Sequence, residues 1–536
     1  MKTYIKLLMG ACVASFLTAC DYEAINTDEF GMTDAEGAWD GIGVGGQLTT
    51  MQRYVVPVGT QADATDMINQ YQIAFNLSSD VWSGYFGQNN NWSGGNNNTA
   101  NYLIDGWVAS TYTNTYTNML APWKKLKIEA EKINAPEIYA IAQIVKIAAW
   151  HKTLESFGPM PYSHAADNSL SIPFDSERDV YTAMLADLET SVNELADAAA
   201  IGKKVLEAYD AVYAGDPVKW VKFGNTLMLR LAMHVRYADE TLAKEYATKA
   251  VSQPLGLMTL KDDEAKMGNG AGLQFINNIY WLSDNYDECR MGCSILSYLA
   301  GYEDPRLPVY FRSVERQWNG VDAFDGKYYS AIPYGNVSSK NDYYGIYTSK
   351  PNFTANTPTY WMRASEAYFL RAEAALVWGG TFGDAASLYA QGIQTSFDEN
   401  GISSSAASYM ASGKAPIDVT EIWGKKFTAP TTATPEFTGT TEQKLEKIIT
   451  QKWLALFPNG QEAWTEYRRT GYPKLMPCAN NRGASQGVSA SEGVRRLTYP
   501  SSFRITETNL DIYNDAVEKL GGTDGPATHL WFDCKH

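Results

Sequence analysis

Asp216-Pro217-Val218-Lys219-Trp220-Val221-Lys222-Phe223-Gly224-Asn225-Thr226-Leu227-Met228-Leu229-Arg230-Leu231-Ala232-Met233 is the stretch on which the fold turns. An aspartate before a proline is a helix start: the carboxylate accepts a free backbone N–H of the first turn, and proline has no N–H to leave unpaired there. Behind it Trp220, Phe223, Leu227, Leu231 and Val235 recur at three- and four-residue steps, which is one apolar helix face.

Working outward, the same signals recur. From Glu137 to Phe157 an apolar stripe of Ile138, Ile141, Val145, Ala148 or Ala149, and Leu154 ends at Gly158-Pro159. Ser176 and Asp179 have the spacing of a variant capping box and open a stripe of Val180, Met184, Leu188, Val192 and Leu195. Helices are expected at Tyr360 to Val377 and Asp384 to Glu399, joined by the Gly379-Gly380 turn. Two more are expected at Glu442 to Phe457 and Glu462 to Thr470, separated by Pro458-Asn459-Gly460. Helix pairs at intervals give a mainly α scaffold of degenerate tetratricopeptide-like repeats, without a strict repeat of ~34 residues.

Two stretches between the pairs are of another kind. Asn76 to Thr117 is rich in Asn, Gly, Thr and aromatic residues and is centred on Gln88-Asn89-Asn90-Asn91-Trp92-Ser93-Gly94-Gly95-Asn96-Asn97-Asn98. Asn277 to Phe353 scatters Tyr280, Trp281, Tyr286, Trp318, Tyr328 and Tyr334 among Gly, Asn, Asp and Ser. Both read as loop, and long ordered loops in a compact protein usually carry function. A pyranose offers C–H bonds on one face and hydroxyls at its rim. Indole and phenol rings can floor such a ligand while amide and charged groups meet the edge. Trp82 and Tyr85, in Asp80-Val81-Trp82-Ser83-Gly84-Tyr85, stand just before the Asn-rich run; Trp281 and Trp318 come from the second loop, and Trp92 has little apolar sequence around it.

Composition narrows the class. The chain has 536 residues, 45% hydrophobic and 19% charged, so it is neither disordered nor a small disulfide-stapled protein. With 60 acidic against 44 basic residues its net charge is -16, which disfavours nucleic acid and favours a neutral ligand. Fifteen Trp and 34 Tyr exceed what a core is expected to need. Lys2 and Lys6 precede an uncharged stretch from Leu7 to Ala19, an export signal too short to span a bilayer. It ends in Leu17-Thr18-Ala19-Cys20, which resembles a lipobox; Cys20 would carry the acyl chains, and residues 1–19 would be removed to leave 20–536 as a single body.

Other constellations are weak. Cys289 and Cys293 are close enough in sequence to bridge, with buried thiols the commoner state, and no cysteine or histidine has zinc-site spacing. His151 and His234 sit in helices as core or edge residues, and Asp262-Asp263-Glu264 reads as solvated surface. No cofactor is expected. A glycoside hydrolase on a helical scaffold and a tetratricopeptide-type adaptor for peptides remain as alternatives, because acidic residues are too many to single out a catalytic pair.

The lipobox, the stretch from Gly215 to Met233, the block Met362-Arg363-Ala364-Ser365-Glu366-Ala367-Tyr368-Phe369-Leu370-Arg371-Ala372-Glu373-Ala374, the segments Gln451 to Leu456 and Glu462 to Pro473, and Arg495-Arg496-Leu497-Thr498-Tyr499-Pro500 together resemble the SusD/RagB family. The resemblance implies a lipid-anchored protein on the outer face of the outer membrane. It would bind a neutral poly- or oligosaccharide without catalysis and serve a SusC-like TonB-dependent transporter. It also implies a glycan platform of an early-loop tryptophan with middle-loop aromatics, positions matched by Trp82, Trp281 and Trp318 with Tyr85, Trp92, Tyr280 and Tyr286 beside them. Gln88, Asn89, Asn90, Asp66, Arg53 and Arg290 are the rim candidates. Several indoles suit a flat chain, so plant β-glucan or xyloglucan is the first expectation, then other hemicelluloses, then levan or a host glycan.

Overall fold

Helix starts follow the capping chemistry. The computed structural model describes residues 41–169, 171–314, 321–323, 326–340 and 342–535. The signal segment, Cys20 and Trp318 lie outside them. Asp216 accepts the N–H groups of Val218 at 3.0 Å and Lys219 at 3.4 Å and opens the helix Pro217–His234. Ser176 accepts the N–H of Asp179 at 3.2 Å and opens Glu177–Ala200. Thr440 and Gln443 form a full capping box at the head of Thr441–Leu456.

Four consecutive helix pairs make the scaffold: Asn118–Lys132 with Pro136–Phe157, Glu177–Ala200 with Pro217–His234, Ala364–Trp378 with Ala385–Glu399, and Thr441–Leu456 with Gly460–Thr470. The second pair packs closely at Gly224, where a Cβ would stand 2.7 Å from Val192 Cγ2, so glycine is the residue that allows the crossing. Gly379 and Gly380, both at positive φ, turn the third pair. Asn118–Lys132 and a further helix, Glu240–Ser252, were not expected from the sequence, although Met119, Trp123, Leu126 and Ala130 in the first and Ala243, Tyr246, Ala247 and Ala250 in the second are buried at helical spacing.

Three expectations change. Residues 360–362 are strand: Thr359–Met362 pairs antiparallel with Ala265–Met267, and the helix begins at Ala364, in keeping with the β-preference of the Thr-Tyr-Trp run. The two loop stretches contain short helices, among them Ser79–Trp82, Asp105–Tyr112 and the fully buried Cys293–Gly301. Of the acidic triplet only Asp262 faces solvent; Asp263 pairs with Lys222 at 2.8 Å and Glu264 with Arg363 at 2.7 Å, both inside. Cys289, Cys293 and Cys478 are buried free thiols, and Cys534 is an exposed one.

The aromatic excess is largely core. Tyr85 stacks on Trp453 at 5.3 Å, Tyr116 on Trp150 at 4.6 Å, and Trp82 packs on Trp464 at 4.9 Å. Beside these rings runs a buried ionic network. Arg230 donates from Nε and Nη2 to the two oxygens of Glu366 at 2.7 and 2.6 Å, and Arg469 does the same for Glu373 from its two terminal nitrogens at 2.7 Å. His234 lies between Glu155 at 2.7 Å and Glu462 at 3.0 Å. Burial lowers its pKa, but Glu462 and Glu155 outweigh burial and hold the imidazole at about 9, as a cation. These three residues have ligand atoms within 4.8 Å of one another, the spacing of a metal site. The imidazolium, with Arg230 and Lys452 alongside, already supplies the positive charge that an ion would bring.

Candidate functional site

Backbone pairing joins the two loop stretches. Phe86–Gln88 runs antiparallel to Cys289–Met291, with Gly87 opposite Arg290. A Cβ at Gly87 would lie 2.3 Å from the carbonyl oxygen of Ile332, so only glycine lets three segments meet here. The Asn-rich run is then spent on the joint. Asn89 donates from Nδ2 to the carbonyl of Asp287 at 3.0 Å, Asn90 to Glu288 Oε1 at 2.9 Å and Asn91 to the carbonyl of Val337 at 3.2 Å. Gln72 completes Glu288 from the other side at 2.7 Å, and Gln88 turns inward to Asn76 at 2.9 Å.

The segment 281–290 is the centre of the joined face. Trp281–Asn285 is a single wide helical turn, and the N–H of Tyr286 closes it on the carbonyl of Trp281 at 3.0 Å. Asp284 binds Arg312 through both oxygens, one of them at 2.9 Å from Nη1, and Asp287 pairs with Arg290 and, at 3.0 Å, with Lys350. Burial raises both carboxyls, yet Arg312 for Asp284 and Arg290 with Lys350 for Asp287 outweigh it and hold them below the ordinary range, ionised. Tyr286 donates its hydroxyl to Asn69 Oδ1 at 3.1 Å, which lays the helix Ala64–Tyr71 alongside.

Next to these acids opens a cleft of about 190 Å³ lined by Arg312, Ser313, Val314, Ile346, Thr348 and Lys350. It abuts Asp287 directly: a Cβ at Gly345 would lie 2.7 Å from Asp287 Oδ2. Each cation at its rim is matched by an acid. The cleft therefore presents fixed donors and acceptors around two apolar side chains with little net charge, which suits a hydroxylated neutral molecule better than an ion.

Against this geometry the sequence candidates divide. Trp82 is buried, its indole N–H donating to the carbonyl of Asn98 at 2.9 Å and its ring covered by Trp464; it is a core residue, not a floor for a ligand. Tyr85 is likewise fully buried, with its hydroxyl on the carbonyl of Trp453. Arg290 is buried and holds the carbonyl of Cys289 at 2.9 Å and the carboxylate of Asp287, so it supports the rim without forming it. Asn89 is buried in the joint, and Gln88 with it. Trp281, Tyr280, Tyr286 and Asn90 are half-buried at the face. Trp92 is half-buried on the early loop, edge-on to Trp107 at 6.2 Å. Asp66 is exposed on the helix that Tyr286 touches, and Arg53 is paired with Asp63. Trp318 falls outside the described residues. Arg312 and Lys350 were missed because each looks like any other surface cation in sequence; only the acids brought from 284 and 287 give them a role.

A carboxylate of raised pKa is the signal a glycosidase would give. Burial lifts Asp80 to about 7 and Glu177 to about 8. Asp80 lies against a cavity of about 40 Å³, room for water and not for a sugar, and Glu177 is buried against the N–H of Trp531.

The family described as SusD-like, Susd and RagB outer membrane lipoprotein, matches residues 24–533. Among solved structures, a chitin-binding SusD homologue from Flavobacterium johnsoniae is 33% identical with a TM-score of 0.83, over 92% of this chain and 99% of that one. A SusD homologue from Bacteroides vulgatus is 30% identical with a TM-score of 0.84 over the same shares. A further chitin-binding protein is 25% identical with a TM-score of 0.71, over 92% of this chain and 100% of its own. No curated protein matches the chain. No helix of the described residues is long and apolar enough to cross a membrane.

Proposed function

The chain belongs to the SusD/RagB family of outer-membrane lipoproteins, non-enzymatic proteins that bind glycans, and from that premise we propose that it captures a neutral β-linked polysaccharide on its loop face. Cys20 holds it to the membrane by its acyl chains, facing outward, and the glycan passes to a SusC-like TonB-dependent transporter. The observation that carries the reading is the charge-balanced cleft between Arg312, Lys350 and the acids Asp284 and Asp287, beside the half-buried rings of Trp281 and Tyr286.

Chitin-type chains of N-acetylglucosamine come first, because two relatives along nearly the whole chain are described as chitin-binding. β-Glucan and xyloglucan share the flat equatorial backbone and stand second. Electrophoresis of the protein through native gels containing glycol chitin, xyloglucan or barley β-glucan tests this. Retardation by one of them with no new reducing ends is expected. Free migration in all three, or release of reducing ends, overturns the reading.

A further inference from the structure

Trp423 is the only exposed tryptophan among the described residues, with 52% of its surface open to solvent. It stands in the turn of a hairpin whose strands are Val419–Thr420 and Lys426–Phe427. The turn is rigid. Its buried Glu421 accepts the N–H groups of Trp423 at 3.0 Å and Lys425 at 2.9 Å, and Gly424, at φ +92°, donates to the carbonyl of Glu421 at 2.9 Å. Ile422 points the other way, into a small core with Ile332 and Tyr344. Tyr344 also meets the indole edge-on at 5.8 Å. A large apolar ring is thus fixed outward on a braced turn, where burial inward would have stabilised the fold.

The helix that supports this ring also walls the cleft. Tyr344 belongs to the helix Asp342–Tyr347, whose Gly345 and half-exposed Ile346 (56%) line the cavity with Arg312 and Lys350. The stacking surface and the set of paired donors and acceptors therefore touch neighbouring residues of one helix, Tyr344 against the indole and Gly345 with Ile346 at the cavity. That combination matches a chain of pyranoses: one sugar needs a ring beneath its C–H face, and its neighbour needs hydroxyl partners. A protein partner would want a wider apolar patch, and an anion would want cations not already matched by acids.

We propose that Trp423 is a stacking platform for one sugar of a glycan whose adjoining residue occupies the cleft beside Arg312 and Lys350. The proposal rests on the glycan-binding reading above and adds to it a residue from a segment that neither loop stretch contains. Titration of the full-length protein with chitohexaose and with cellohexaose, followed by tryptophan fluorescence and calorimetry, is the test. Wild type is expected to bind one of the two, Trp423→Ala to bind it at least about fivefold more weakly, and Trp423→Phe to recover part of the loss, all three with the same melting temperature. Equal affinity of wild type and Trp423→Ala overturns the proposal and leaves the glycan reading standing. If wild type binds neither hexaose nor any polysaccharide in the gels, the glycan reading falls and the proposal with it. If Trp423→Ala melts early, Trp423→Phe decides: a stably folded Phe variant as weak as Ala overturns a stacking role that any flat ring could serve.

Discussion

The helical core and the loop face both use ion pairs between cations and carboxylates, for opposite ends. In the core, Arg230 with Glu366, Arg469 with Glu373 and His234 with Glu155 are each at most 3% exposed, and every charge is satisfied by a neighbour. On the face, Arg312 with Asp284 is 38% and 21% exposed, and Lys350 with Asp287 is 25% and 36%. Buried pairs lock helices together because breaking one strands a charge away from water. Half-exposed pairs lose little when water is replaced by a hydroxyl, so they are free to hold a ligand.

Removing one partner of a buried pair gives the largest effect. His234→Ala leaves Glu155 and Glu462 facing each other and should cost about 3–5 kcal/mol in urea unfolding, enough to unfold a marginal variant. The same site predicts a pH signature. The His234 pKa is raised on folding to about 9, so its contribution is complete below the unfolded value of 6.5 and is lost as pH rises through about 9. Burial pushes Glu155 up, but His234 and His151 outweigh it, so its pKa is lowered below 4.5 and its contribution is lost as pH falls on the acid side. Melting temperature measured across pH should show both limbs, and His234→Gln should flatten the alkaline one.

Trp82→Ala comes next, at about 3–5 kcal/mol of stability, with unchanged glycan affinity in whatever fraction stays folded. Loss of binding without loss of stability would put Trp82 back in the site. Arg312→Ala reverses that pattern: a melting temperature near wild type and glycan affinity about tenfold lower, read by calorimetry. The smallest change is at a surface pair remote from the cleft. Lys249, about one-third exposed beside Glu189 at 2.8 Å, should cost less than about 1 kcal/mol as Lys249→Ala and leave binding untouched.

The scaffold was legible where local rules act alone. Asp216-Pro217, Ser176 and Gly379-Gly380 mark helix ends because a cap or a positive φ involves only neighbours in sequence. The blocks that carry the family resemblance contain Arg230, Glu366, Glu373, Glu462 and Arg469, which meet as the buried network, though nothing in their spacing pairs them. Trp82 was misread for the same reason: in sequence it stands just before the Asn-rich run, while Trp464, almost four hundred positions on, covers it in the fold. Trp423 went unnoticed because its hairpin lies outside both aromatic loops.

What the chain order settled by itself was where the well-capped scaffold helices start and that the composition is acidic, since propensity, capping and charge are properties of residues and their near neighbours; the family showed in the order of its sequence blocks along the chain. Which tryptophans see water, which acids meet which cations, and where a cleft opens were decided only by tertiary packing. Burial is a property of everything within a few ångströms of a side chain, and here most of that comes from distant parts of the sequence.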